Sequence, residues 1–134
     1  QLTAALYGDH AIVGHVFRGY NNPFGKRPTA SYKWTQLTLT KLRSAVALVG
    51  KPPRFIVEVG SFAGGSALVL GRYAKELGTG AAGTHAPPVL CIDTWLGDTN
   101  MALGRVESKL MDKRWGQPTL YHQFLTNLVA ANLT

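Results

Sequence analysis

The sequence predicts an α/β protein organised around a parallel sheet. Three observations carry that reading. Two short runs rich in β-branched and apolar residues, 54–59 and 89–93, have the length and composition of buried strands. Apolar residues at helical spacing occur before the first run, between the two, and after the second. A glycine-rich turn joins the first strand directly to the helix behind it. Strands that alternate with helices pair in parallel, because the crossover helix carries the chain back to the start of the next strand.

Residues 1–34 read as an irregular aromatic arm. Gly14, Gly19, Gly25, Pro23 and Pro28 break regular structure at short intervals, and 19–25 is turn-rich. The aromatics Tyr7, Phe17, Tyr20, Phe24, Tyr32 and Trp34 are expected to pin the arm onto a neighbouring surface; stacking on bases is the alternative. Residues 35–134 form the second unit. A helix is expected from Thr35 to Val49, with Leu39, Leu42, Val46 and Val49 at helical spacing, Gly50 as its cap and Pro52-Pro53 as its stop. The first strand covers 54–59. The turn Gly60-Ser61-Phe62-Ala63-Gly64-Gly65-Ser66 leads into a helix to about Leu77, with a stripe of Ala67, Leu70, Gly71 and Ala74. Residues 78–88 read as a flexible surface connector, and the second strand runs from Val89 to Asp93. A weaker helix is expected near Met101–Trp115. A last amphipathic helix, from about Thr119 to Ala131, carries Leu120, Phe124, Leu128 and Ala131 on one face.

Composition bounds the function. Of 134 residues, 46% are apolar and 16% charged, which is globular and not disordered. No apolar run reaches the ~20 residues that span a bilayer. The chain is therefore expected to be soluble, with no targeting or transmembrane segment and no assigned compartment. It begins at Gln1, with no basic-then-apolar leader, so the start is expected to be a processed end, an expression boundary or the edge of a larger protein. The net charge of +7 admits a nucleic-acid partner, but the basic residues are scattered, and a solvated basic surface is the plainer reading. The lone Cys91 excludes a disulfide within the chain and reads as a small buried hydrophobe. His10, His15, His85 and His122 have no metal-ligand spacing, so no metal is expected.

The chemistry-bearing stretch is Val57-Glu58-Val59-Gly60-Ser61-Phe62-Ala63-Gly64-Gly65-Ser66. Glycines let the backbone approach a ligand, and the helix start offers free N–H groups and a positive dipole end. A dinucleotide site would want a second glycine two residues after Gly60. Here it comes four later, at Gly64, and Glu58 would face anionic phosphates. A ligand with a cationic end fits that carboxylate better. The bland alternatives are a tight strand–helix turn for the glycines, a structural cap for Glu58, a loop cap for Asp93, an Asx turn for Asp98 and plain packing for Trp95.

The run Glu58-x-Gly60-x-x-x-Gly64-x-Ser66 resembles motif I of class I S-adenosylmethionine-dependent methyltransferases, in the form of the catechol O-methyltransferase-like group. The segments 55–74, 89–98 and 118–128 look like the methyltransferase domain family with cephalosporin-hydroxylase-like and sugar O-methyltransferase relatives. The resemblance spans about residues 35–134. It implies a Rossmann-like class I methyltransferase fold, here incomplete, with about two of about seven strands. It also implies S-adenosylmethionine as cofactor. Gly60 and its neighbours Ser61, Phe62, Gly64 and Gly65 would meet the methionine end. Ser66 would receive the methionine carboxylate, Glu58 would orient the amino-acid portion, Asp93 would bind the ribose hydroxyls and Trp95 would pack near the adenine.

The family's acidic catalytic or metal-binding residues come later than Thr134, so no catalytic residue is assigned. The resemblance leads one to expect that another chain, a continuation or a larger assembly completes the sheet. Three functions are open: the cofactor-binding part of an enzyme that methylates a small hydroxylated molecule or sugar; a methyltransferase-derived structural subunit; and a basic nucleic-acid-binding module.

Overall fold

A computed structural model describes residues 17, 19–29, 35–79, 85–104 and 112–134. The expectations for Tyr7, Tyr32 and Trp34, and for the middle of the 78–88 connector, lie outside these residues. The described chain is mixed α/β, with a small parallel sheet of two strands.

Helix α1, Leu39–Val49, starts where the Thr38 side chain accepts from the Lys41 amide, and ends at Gly50, whose N–H reaches the carbonyls of Val46 and Ala47. With Thr38 as cap the helix begins at Leu39, the first of the spaced apolar residues and four residues after the expected start at Thr35. Strand β1, Ile56–Val59, pairs in parallel with β2, Val89–Ile92, in the register Ile56↔Val89 through Val59↔Ile92. Between them lies α2, Gly65–Thr79, which buries Ala67, Leu68, Leu70, Tyr73 and Ala74. That stripe is wider than expected, and Arg72, Lys75 and Glu76 face away as expected. Gly78 and Thr79, read as connector, are the last residues of this helix.

The expected helix near Met101–Trp115 is a correction. Among the described residues of that span one turn is helical, α3 at Thr99–Ala102, capped by Asp98 through its Oδ1 to the Met101 amide at 2.9 Å; residues 105–111 lie outside the described residues. Its far end is instead a tight antiparallel hairpin, β3 (Lys113–Arg114) and β4 (Gln117–Pro118). Trp115 and Gly116 form the two-residue turn between them, both with positive φ (49° and 79°). Gly116 and Pro118 disfavour a helix there, and a two-residue loop with two left-handed residues matches a type I′ turn.

The core lies on one side of the sheet. Helix α4, Leu120–Ala130, places Phe124, Leu125 and Leu128 against Ala67 and Leu68 of α2, and Leu120 against Ala63 of the glycine turn. Ile56, Glu58, Val89 and Cys91 point to that side by strand alternation. Val57, Val59 and Ile92 point to the other and are exposed, Val57 and Ile92 at 47% and Val59 at 80%.

The described part of the arm is irregular and docks on α4. Asn22 closes its turn, exchanging two hydrogen bonds with Lys26. The Tyr20 hydroxyl donates to the His122 carbonyl at 2.9 Å, and the Phe24 ring meets the His122 ring edge-on at 4.6 Å. Asn127 ties the arm, the turn and α4 together. Its Oδ1 accepts from the Thr29 amide (2.9 Å) and from Gln123 Nε2 (3.1 Å). Its Nδ2 donates to Thr29 Oγ1 (2.9 Å) and to the Ala63 carbonyl (2.7 Å). Asn127→Ala strands those partners in a buried place and is expected to cost about 3 kcal/mol. Urea denaturation monitored by circular dichroism measures it, and a loss below ~1 kcal/mol contradicts the assignment.

Candidate functional site

The site forms where the two parallel strands end. Val59 pairs with Ile92, so the next residues, Gly60 and Asp93, leave the sheet side by side at its C-terminal edge. The Gly60 amide still reaches the Ile92 carbonyl at 2.9 Å, which carries the ladder one step further. Open α/β sheets bind ligands at this edge, because the helix N-termini and the connecting loops gather there.

Asp93 locks the turn. Its Oδ2 accepts from the Phe62 amide at 2.7 Å and its Oδ1 from the Trp95 amide at 2.6 Å. Charge-assisted bonds to backbone amides are among the stronger hydrogen bonds, and these tie the tip of β2 to the turn after β1. Each carboxylate oxygen has lone-pair capacity beyond the one amide it accepts from. Trp95 adds a second tie, its Nε1 donating to the Phe62 carbonyl at 3.0 Å. The indole packs against Tyr121 and Phe124, with ring centroids 4.9 and 5.2 Å away. The structure thus gives Trp95 a packing role as well as its place beside the turn. Both Phe62 and Trp95 have positive φ (47° and 51°), a strained choice for aromatic residues that the Asp93 and Trp95 bonds hold in place.

The glycines serve two purposes. Gly60 has φ +85°, and a Cβ added there would meet nothing within 4 Å, so the turn is open above it. Gly64 has φ +92°, and a Cβ would come within 3.2 Å of the Phe124 ring, so it is required for packing of the turn against α4. Helix α2 starts at Gly65, which puts the amides of Gly65 and Ser66 in its first turn, where no intrahelical acceptor exists. No acidic side chain occupies that turn. Glu58, Ser61, Phe62, Gly64, Gly65, Ser66, Asp93 and Trp95 are therefore all gathered at or under one strand–turn–helix junction.

Beneath the turn lies a polar cluster. Glu58 is only 8% exposed, and no hydrogen bond reaches either of its carboxylate oxygens; Ser61 Oγ is also buried without a partner. Cys91, paired with Glu58 across the sheet, lies near enough to both for their polarity to act on its thiol. Burial pushes the Cys91 thiol up to about 11, with the Glu58 charge adding to the rise and Ser61 opposing it. Cys91 is thus a neutral S–H at physiological pH, in keeping with its reading as a small strand hydrophobe. That Glu58 would be enclosed and unpartnered was not readable from the sequence, since only the pairing of residues 58 and 91 reveals it. Among the described residues, no group of three His, Cys, Asp or Glu side chains could hold a metal ion, and no helix is long and apolar enough to cross a membrane.

No family model, curated protein or solved structure matches the chain.

The raised thiol gives a direct test of this cluster. At pH 8 a thiol at about 11 is about a thousandth ionised, against about a tenth for an unperturbed thiol at 9.0. The higher intrinsic nucleophilicity of the more basic thiolate offsets part of that difference. Native Cys91 is expected to react with iodoacetamide at least about tenfold more slowly than the urea-unfolded chain. Glu58→Gln removes the neighbouring charge and should speed the native reaction, read by mass spectrometry over time. Equal native and unfolded rates would contradict the geometry.

Proposed function

We propose that this chain is the S-adenosylmethionine-binding part of a methyltransferase, with a Rossmann-like sheet of which β1, α2 and β2 are the first unit. The observation that carries the reading is the juxtaposition of Gly60 and Asp93 at one sheet edge, with Asp93 bonded across to the glycine turn. In such a site the turn and the first amides of α2, at Gly65 and Ser66, would hold the methionine carboxylate, since helix N-termini favour anions. Asp93 would take the ribose diol on its remaining lone pairs. Glu58, enclosed below the turn, would favour the ligand's cationic end by its charge and not by direct contact.

The ligand class fits this structure on two further points. The space above Gly60 is open to an approaching ligand. The orphaned Glu58 and Ser61 oxygens make a polar floor that a purely structural turn would not need. The cofactor, when bound, supplies a sulfonium methyl for direct attack by an acceptor. The protein's share of the rate is then mainly positioning. An O-methyl acceptor, a small hydroxylated molecule or a sugar, is the class we infer from the family resemblance.

The exposed face of Val57, Val59 and Ile92 supports a second element of the proposal, that further strands and helices cover this sheet, from a continuation or another chain. A monodisperse, cooperatively folding monomer of these 134 residues would overturn that element.

Calorimetric titration of S-adenosylhomocysteine into the folded protein tests the cofactor site. Binding is expected, and Asp93→Ala should weaken it about tenfold or more. Trp95→Phe, which removes the tie to the Phe62 carbonyl and part of the ring packing but leaves Asp93 in place, should retain most of the affinity. No heat from a sample with a cooperative thermal transition would overturn the reading.

A further inference from the structure

The β3–β4 hairpin has features that neither the core nor the glycine turn explains. Its turn places Trp115 in a left-handed backbone conformation (φ 49°), the first central position of a type I′ turn. Asn, Asp or Gly suits that position; an aromatic residue there is strained. Packing does not compensate, because Trp115 is 91% exposed and its one ring contact is an edge-on approach by Phe24 at 6.1 Å. The fold therefore holds a large indole in water at a backbone position that disfavours it. Strain kept without a packing gain marks a functional position.

The surroundings of the indole are basic. Lys113 and Arg114 precede it and are exposed. Lys26 and Arg27 follow Phe24 in the arm, and Lys26 is joined to the base of the hairpin through Asp112 at 3.3 Å. Asp112 also lies 4.0 Å from Arg114, so its carboxylate is set between two cations. The hairpin itself is anchored rather than loose: the Thr119 amide and hydroxyl both donate to the Asp112 carbonyl at 2.8 Å, at the start of α4.

We propose that this knuckle, the exposed Trp115 flanked by the exposed Lys113 and Arg114, binds single-stranded nucleic acid. A base would stack on the open face of the Trp115 indole while the cations neutralise the adjoining phosphates. The net charge of +7 favours approach of a polyanion to the whole chain. A single-stranded ligand is specified because the ring projects singly from a turn, where it can meet an unpaired base, while the flanking strands are only two residues long and too short to read a groove. An anionic membrane fits less well. Phe24, the neighbouring aromatic, is half-buried against His122, which leaves one indole as the whole of the apolar anchor. This proposal stands apart from the cofactor reading and shares no residue with it.

The test is fluorescence anisotropy of a labelled oligothymidylate and a labelled oligouridylate, about ten nucleotides each, titrated with the full chain over a salt series. Binding is expected at low salt. Trp115→Asn should weaken it about tenfold or more, by loss of the stack, while Trp115→Phe keeps most of it. Trp115→Asn should also raise the melting temperature, since Asn suits the turn. The pair Lys113→Ala and Arg114→Ala should flatten the salt slope by about 1.4 in log–log terms, two phosphate contacts' worth. Absence of oligonucleotide binding, or unchanged binding by Trp115→Asn, would overturn the proposal. A fall in melting temperature for Trp115→Asn would overturn it too, by making the indole structural. So would binding to phosphatidylserine vesicles without binding to either oligonucleotide.

Discussion

The described fold depends on one buried amide. Asn127 uses both donor hydrogens and both acceptor lone pairs, and its four partners come from three separate parts of the chain. Two are in the arm at Thr29, one is the carbonyl of Ala63 in the glycine turn, and one is Gln123 on the same helix. An amide satisfied on all four sites is stable only where every partner is in place, so it specifies their relative positions more sharply than apolar packing does. Gln123 extends the network by donating also to the Arg27 carbonyl at 2.9 Å. The irregular arm can lie on α4 without a ladder of its own because α4 supplies side chains that meet its backbone groups.

This interaction is also what the sequence hides best. Apolar periodicity marks Leu120, Phe124 and Leu128 as the inner face of α4, and all three are buried. Gln123, Thr126 and Asn127 are buried as well, and apolar spacing gives no sign of it because they are polar. Their partners in the arm and the glycine turn lie 64 to 106 residues away along the chain, and no local spacing reveals them. The strands, the glycine turn and its helix were legible for the opposite reason: β-branched runs, Gly60, Gly64 and Gly50 are local signals with local consequences. The hairpin at 113–118 escaped because its strands are two residues long and polar, and because Trp-Gly is not a usual pair for a type I′ turn. Of the candidate site, the grouping of Gly60, Ser66 and Asp93 was legible from strand ends. The bond from Asp93 to Phe62 and the enclosure of Glu58 were not, since both depend on strand register.

The two faces of the sheet show how sequence and described structure differ in completeness. Val57, Val59, Leu90 and Ile92 alternate with Ile56, Glu58, Val89 and Cys91, so both faces of both strands are largely apolar. That pattern belongs to a parallel sheet covered on each side by helices. Helices α2 and α4 occupy one side. On the other, Val57, Val59 and Ile92 remain largely exposed, and α1 buries none of its residues. The strongest polar residue on the covered side, Glu58, is the one found without a partner. A carboxylate placed there at the expense of desolvation is rarely a packing choice.

Asp93 links the structural and functional readings of that turn. A loop cap and a ligand-binding carboxylate are usually alternatives, but here the geometry lets one side chain act as both. By accepting one amide on each oxygen, Asp93 fixes Phe62 and Trp95 in left-handed conformations and so fixes the turn before any ligand arrives. The lone pairs that remain are held in a set direction by those same bonds. A diol meeting them would find its acceptors already oriented, with little side-chain entropy left to lose on binding. The residue that shapes the turn would then also do the recognising, and the strain at Phe62 and Trp95 would be the cost of keeping it aimed.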